Sequence, residues 1–349
     1  MKIFSCQQCG QTLLFENTQC QRCGVKLGYL PASGVLSALL DEGESYKALA
    51  DADATSRWVY CSNAAHRVCN WLLPAGAETT LCECCELNRH IPDLADPGQQ
   101  EAWQELEFAK HRLVYSLHRF GLPIQQGLRF DFISTNRPIP PGATASTGHA
   151  SGQVTITTDE ADSAEREQHR VDMDEPYRTL IGHFRHEVGH YYWEQLLQAD
   201  PQRLQGFRDL FGDDTLNYQQ ALQQHYEHGP AANWQAQYIS AYASSHPWED
   251  WAETWAHYFH LVDTLETAHA FGLSLQPQAG VDAVMAMTAD IDPYVHKDFD
   301  ELLNRALPLT FAVNSLNRSM GQPDLYPFVL SSKVKDKLRF IHNLLLEYR

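Results

Sequence analysis

Apolar residues recur at helical spacing through "EAWQELEFAKHRLVYSLHRFG" (Trp103, Leu106, Leu113, Leu117, Phe120), which predicts an amphipathic helix ending at Gly121. The pattern then changes period. "GLRFDFIS" alternates apolar and polar and predicts a strand, "PIPPGATASTGHASG" a loop, and "GQVTITTDEAD" a second strand. Helical periodicity returns over about 175 to 198, again in a polar stretch from 200 to 227, and over 248 to 268. The C-terminal part reads as helix with proline breaks and closes on the amphipathic "SSKVKDKLRFIHNLLLEY". Upstream, "SGVLSALLDEG" predicts a short helix inside a linker over 31 to 55, and the prolines and closing glycine of "IPDLADPG" mark a boundary near 95. The fold class is α+β.

At 349 residues the chain exceeds the usual size of one core, so at least two structural units are expected. No run approaches the 18 apolar residues of a membrane helix, so no membrane partner is expected. "MKIFSCQQCG" puts cysteines where an export signal needs an apolar core, so a cytoplasmic location is expected. A net charge of −18, with seven Lys/Arg against eleven Asp/Glu in residues 1 to 100, argues against nucleic acid as a partner.

The nine cysteines lie within the first 85 residues. "CQQC" (Cys6, Cys9) and "CQRC" (Cys20, Cys23), separated by a short apolar stretch, form the paired knuckles of a zinc ribbon over 1 to 30; each knuckle aims two thiolates at one tetrahedral Zn(II). A second zinc-binding module over 56 to 95 is less regular. Its expected ligands are Cys61, Cys69, Cys82 and Cys85, with Cys84 left over and His66 an alternative ligand. The remainder, 96 to 349, forms one further domain.

That domain contains His186, Glu187 and His190 as HExxH. Histidines at i and i+4 stand one turn apart on one helical face and can reach one zinc ion, while the glutamate, about 100° round the helix, can reach a water there. The flanks Leu180, Ile181, Phe184, Val188, Tyr191 and Trp193 are apolar, so the helix is expected to be buried, with histidines that need partners. Gly189 would let another segment come close. His183, one turn earlier on the same face, is expected to support the site rather than to ligate.

Catalytic zinc commonly takes three protein ligands and leaves a fourth position for water. Trp193 and Leu196 stand where an extended HExxHxxGxxH motif would place Gly and His, so the third ligand must come from elsewhere. "PWEDWAETWAHYFH" is the best source, with Pro247 placed to start a helix. On its wheel Glu249 and Glu253 lie about 40° apart beside Ala252 and Ala256, while Asp250 points about 100° away. The economical assignment makes Glu249 the ligand and Glu253 the acceptor for a ligating imidazole N–H. Asp250, His225 and His228 are next in line.

HExxH followed, after 58 intervening residues, by ExxxE on a helix resembles the gluzincin metallopeptidases, and this resemblance more than geometry ranks Glu249 above Glu253. Tyr242, seven positions before Glu249, resembles the tyrosine of toxin-type gluzincins. Over nearly its full length, through "CSNAAHRVCNWL", "LNRHIPDL", "GHFRHEVGHYYW" and "WEDWAETWAHY", the chain is similar to bacterial zinc-binding metallopeptidases that carry an N-terminal zinc ribbon.

The resemblance implies a zincin-like domain over 96 to 349 that hydrolyses peptide or protein substrates. Glu187 would be the general base, Tyr242 would donate a hydrogen bond to the oxyanion, and "GQVTITT" would serve as the sheet edge that receives an extended peptide. Three Zn(II) per chain are expected, one catalytic and two structural, and the ribbons would take a protein partner. The rival reading is a non-catalytic, zinc-stabilised interaction module with a vestigial zincin site.

Overall fold

The computed structural model describes residues 2–124, 127–143, 147–164, 166, 179–278 and 285–348. The chain divides into two compact units: Met1–His118, Pro123–Gly148 and Gln153–Asp162 form the first, and Arg119–Leu122, His149–Gly152 and Ser163–Arg349 the second.

In the first unit a hairpin of β1 (Phe4–Ser5) and β2 (Thr12–Leu13) carries the first cysteine knuckle. A five-stranded antiparallel meander follows: β3 (Leu27–Leu30), β4 (Val35–Asp41), β5 (Tyr46–Ala48), β6 (Trp58–Tyr60) and β7 (Leu72–Pro74). The short helix expected within 31 to 55 is therefore corrected to strand. Leu36, Ala38 and Leu39 are buried in β4, and Leu30, Leu39, Ala48 and Leu72 build a core flanked by Tyr46, Trp58 and Tyr60. A short apolar run does not by itself separate strand from buried helix, and here pairing across three neighbouring strands decides it.

Next come β8 (Asn88–His90) and α1 (Gln99–Arg119). The apolar positions that predicted α1 (Trp103, Leu106, Leu113, Leu117) and the following Phe120 are each 1% exposed or less. Strands β9 (Arg129–Ile133), β10 (Gly148–Ala150) and β11 (Gln153–Thr157) complete a sheet of order β10-β11-β9-β8, with β9 parallel to both β8 and β11. "GQVTITT" is thus an inner strand, and the expectation that it forms the edge is corrected: the short β10 takes that place. Residues 144–146 of the expected loop lie outside the described residues.

The second unit contains α2 (Leu180–Trp193), α3 (Pro201–Phe211), α4 (Tyr218–His228), α5 (Pro247–Ala270), α6 (Phe299–Ser319) and α7 (Ser332–Leu346), with a small hairpin of β12 (Ser274–Leu275) and β13 (Met287–Thr288). The expected helix start at 175 to 178 lies outside the described residues. The polar stretch of 200 to 227 is two helices, because Gly212 ends α3 at φ 109° and Asn217 caps α4.

The heart of this unit is the packing of α2 on α5. A Cβ at Gly189 would lie 3.1 Å from the Trp255 ring and 3.2 Å from the Ala252 Cα, so the glycine and the alanine together let the two backbones approach. Trp251 donates its indole N–H to the Gly189 carbonyl at 2.8 Å, and both tryptophans are fully buried. Each contributes a large apolar area, on the order of a few kcal/mol. Among the described residues no helix is long and apolar enough to cross a membrane.

Candidate metal centres and active site

Helix α5 begins where Pro247 predicts. His246 caps it, its Nδ1 accepting from the Trp248 N–H at 3.0 Å while its Nε2–H donates to the Leu216 carbonyl at 3.2 Å. This fixes the phase of the first turns. Glu249, 1% exposed, meets the two histidines of α2, and Asp250 turns away to a buried ion pair with Lys337 at 2.5 Å.

Three ligating atoms converge. His186 Nε2 and His190 Nε2 are 3.2 Å apart, His186 Nε2 is 3.0 Å from Glu249 Oε2, and His190 Nε2 is 3.4 Å from Glu249 Oε1. Bonds of about 2.0–2.1 Å to a tetrahedral zinc ion require ligand atoms about 3.3 Å apart, so this donor set fits the metal. The set is His186, His190 and Glu249; Asp250, His225, His228 and His183 are not in it. Two ring nitrogens facing each other with a carboxylate between them form an arrangement that a divalent cation satisfies.

The residues behind this trio set its orientation. His186 donates Nδ1–H to Glu253 Oε1 at 2.7 Å, which leaves the Nε2 lone pair facing His190 and Glu249. The other Glu253 oxygen accepts from Ser240 Oγ at 2.6 Å. Burial pushes the Glu253 carboxyl up, but the hydrogen bonds from His186 and Ser240 help to hold it at about 2, so it stays an acceptor. Burial likewise works against ionised Glu249, and His190 and His186 hold it well below the usual carboxylate range.

Tyr218 donates to Glu249 Oε1 at 2.7 Å. The Tyr242 ring lies 6.0 Å from that of His186, and burial together with the charges of Glu249 and Glu187 holds its phenol well above the ordinary value, hence protonated. Glu187 is half-buried, and its charge is felt by both tyrosines. His149 lies over His190, with ring centroids 6.1 Å apart and planes within 21°, and burial with the neighbouring His190 lowers it to about 3. The sequence singles out Tyr242, Glu187 and Glu253, which lie at or next to this trio, but not Tyr218, Ser240 or His149. The only local signal was the Ser-Gly turn just after His149.

In the first unit the ribbon cysteines also converge: Cys6 and Cys23 Sγ are 3.8 Å apart, Cys9 and Cys20 Sγ 3.6 Å. Tetrahedral zinc with Zn–S bonds of about 2.3 Å requires sulfur separations of about 3.8 Å. Cys61, Cys69, Cys82 and Cys85 form a second quartet, with Cys69 and Cys82 Sγ 3.7 Å apart. His66 is exposed against Trp103 and is not in it, and Cys84 is buried beside it.

Behind this quartet stands His111, another residue that sequence reasoning missed. Its Nε2 is 3.3 Å from Cys69 Sγ, and its Nδ1–H donates to the Glu107 carbonyl at 2.7 Å. A further group of Cys85, Glu107 and His111 shares Cys85 with the quartet, but the fully buried Lys110 sits 3.0 Å from the Glu107 carboxylate and already neutralises it.

Residues 99–344 match the family model described as "Putative zinc-binding metallo-peptidase", which covers more than half of the chain. The chain belongs to this family. Residues 3–96 match a zinc-ribbon domain model. Uncharacterized proteins of Mycobacterium bovis and of Mycobacterium tuberculosis are each 40% identical to this chain over 354 aligned residues, covering 99% of it and 96% of their own length. No solved structure matches the chain. The family models divide this member of the zinc-binding metallo-peptidase family at residues 96 and 99, whereas the compact units place α1 up to His118 and strands β8, β9 and β11 with the cysteine modules.

Proposed function

We propose that this protein is a zinc-dependent metallopeptidase that hydrolyses peptide bonds, with His186, His190 and Glu249 holding the catalytic ion and the two cysteine quartets holding structural zinc. The observation that carries the reading is the convergence of two imidazole nitrogens and one carboxylate at zinc-ligand spacing, with Glu187 next to His186 on the same helix. A zinc ion held there supplies Lewis-acid chemistry, polarising a carbonyl and acidifying water. Glu187 takes the proton of the attacking water and returns it to the leaving amine nitrogen. Tyr242, kept protonated by its surroundings, donates to the carbonyl oxygen as that oxygen gains charge. Tyr218 and Glu253 hold Glu249 and His186 in place.

The test is turnover of a quenched-fluorescence peptide library by the parent and by Glu187→Gln, with zinc measured in both. Loss of general-base catalysis lowers turnover by about 10²- to 10⁴-fold, with zinc content unchanged. Equal cleavage by parent and variant overturns the mechanism. Zinc retention with no turnover by either points to the rival reading of a non-catalytic interaction module.

A further inference from the structure

We propose that His149 is a substrate-binding residue of the His186/His190/Glu249 centre, its Nδ1–H donating to a carbonyl oxygen of the bound peptide. The proposal rests on the peptidase reading above and adds a recognition contact that the zinc-binding motif does not contain.

The tautomer follows from the backbone. His149 precedes a two-residue turn in which Ser151 and Gly152 both take positive φ, 48° and 80°, the type I′ pattern of a tight hairpin. In that turn the Gly152 N–H donates to His149 Nε2 at 2.9 Å. A nitrogen that accepts a hydrogen bond carries no proton, so the neutral ring carries its proton on Nδ1.

That Nδ1–H is withdrawn from solvent and has no acceptor among the described residues. A buried donor without a partner costs about 1–3 kcal/mol, and such groups in folded proteins call for an explanation. Its place supplies one. The ring lies nearly parallel to His190 at 6.1 Å and 6.1 Å from Trp248, which itself lies 4.0 Å from His190. His149 as a whole is half-buried: part of the ring is open while its Nδ1 edge is covered, so a peptide must displace that cover to take the bond.

A neutral donor held beside the metal ligands by a rigid turn suits a neutral acceptor, and a peptide bound at this centre brings carbonyl oxygens. Mobile or charged donors would act differently: a lysine would compete for the carboxylates of the site, and a protonated histidine would repel the cation. The turn prevents the second outcome by keeping Nε2 engaged as an acceptor.

The experiment uses the full-length zinc-loaded protein, a dipeptide hydroxamate as probe, and the quenched peptide library. His149→Ala and His149→Gln remove the donor; His149→Asn keeps an amide N–H close to the position of Nδ1. Expected are a loss of about 10- to 100-fold in hydroxamate affinity and in kcat/KM for the Ala and Gln variants, partial recovery in the Asn variant, and unchanged zinc content in all three. Long-range ¹H–¹⁵N spectra of the free protein should show His149 as the Nδ1–H tautomer.

Parent-like binding by His149→Ala, or an Nε2–H tautomer, overturns the proposal. A parent that binds the hydroxamate but cleaves no peptide removes the peptidase reading, while the affinities of the variants still decide the donor role. A parent that does not bind the hydroxamate removes the proposal as well.

Discussion

Glu253 accepts the Nδ1 proton of His186 at 2.7 Å, and this one bond determines which nitrogen of His186 faces His190 and Glu249. The carboxylate four residues after Glu249 therefore acts on the centre from behind the ring. Glu253→Gln can turn either end of its amide toward His186 and weakens the acceptor; Glu253→Ala removes it. Changes of this kind typically lower metal affinity about 10- to 100-fold, so chelator competition on Glu253→Ala should show that loss at one site. Glu249→Ala should go further and lower the zinc content from three per chain to two, and retention of three would reassign the third ligand.

Gly189 provides a test of the scaffold. Alanine there should gain about 1 kcal/mol of helix propensity, yet its Cβ would stand 3.1 to 3.3 Å from the Trp255 ring and the Ala252 backbone, both fully buried. Overpacking of a tight core costs about 1–3 kcal/mol. We expect Gly189→Ala to be less stable than the parent by about 1 kcal/mol in urea unfolding. A higher unfolding midpoint would mean that α2 and α5 are not held as closely as the structure has them.

The helix phases were legible in the sequence because burial imposes a period of 3.6 residues. Glu249 and Glu253 could be placed on one face, and Asp250 off it, without coordinates. The strand Val35–Asp41 was not legible, since "VLSALL" presents apolar residues to both a helical and an extended reading, and its partners β3 and β5 settle the choice. Tyr218 and Ser240 were not legible either. Each reaches its glutamate by tertiary folding, across 31 and 13 residues respectively, and no local pattern encodes such a contact. The same holds for His111, which lies 42 residues from Cys69.

His111 yields the third prediction. A zinc ion with four thiolates carries a net charge of about −2, which is costly to bury without compensation. His111, buried behind the quartet, provides positive charge and an N–H donor, while Lys110 cancels the charge of the neighbouring Glu107. Burial works against the imidazolium, but Cys84 and Cys85 hold His111 well above the usual histidine range. His111→Leu should speed removal of one zinc by a chelator by about 10-fold or more, leaving the Cys6/Cys9/Cys20/Cys23 site unaffected. Equal extraction rates at the Cys61/Cys69/Cys82/Cys85 site would assign His111 to packing alone.

Lys337 connects the C-terminal helix to the site without touching it. Its ammonium lies 2.5 Å from Asp250 Oδ2 and donates to the Gln237 carbonyl at 2.7 Å, so it ties α7 both to the first turn of α5 and to the segment that leads into Ser240 and Tyr242. Burial already raises the Asp250 carboxyl to about 7 against the pull of Lys337, which makes the carboxylate dependent on its partner. Lys337→Met leaves that group buried without its cation, to stay ionised or to take up a proton, at a cost of up to about 3–5 kcal/mol. Adding Asp250→Leu should recover most of the loss, because a well-packed apolar pair replaces a buried ion pair at little net cost. Urea unfolding of the parent, both single variants and the double variant measures the coupling. A double variant no more stable than Lys337→Met would show that the Gln237 contact, rather than the ion pair, holds α7 in place.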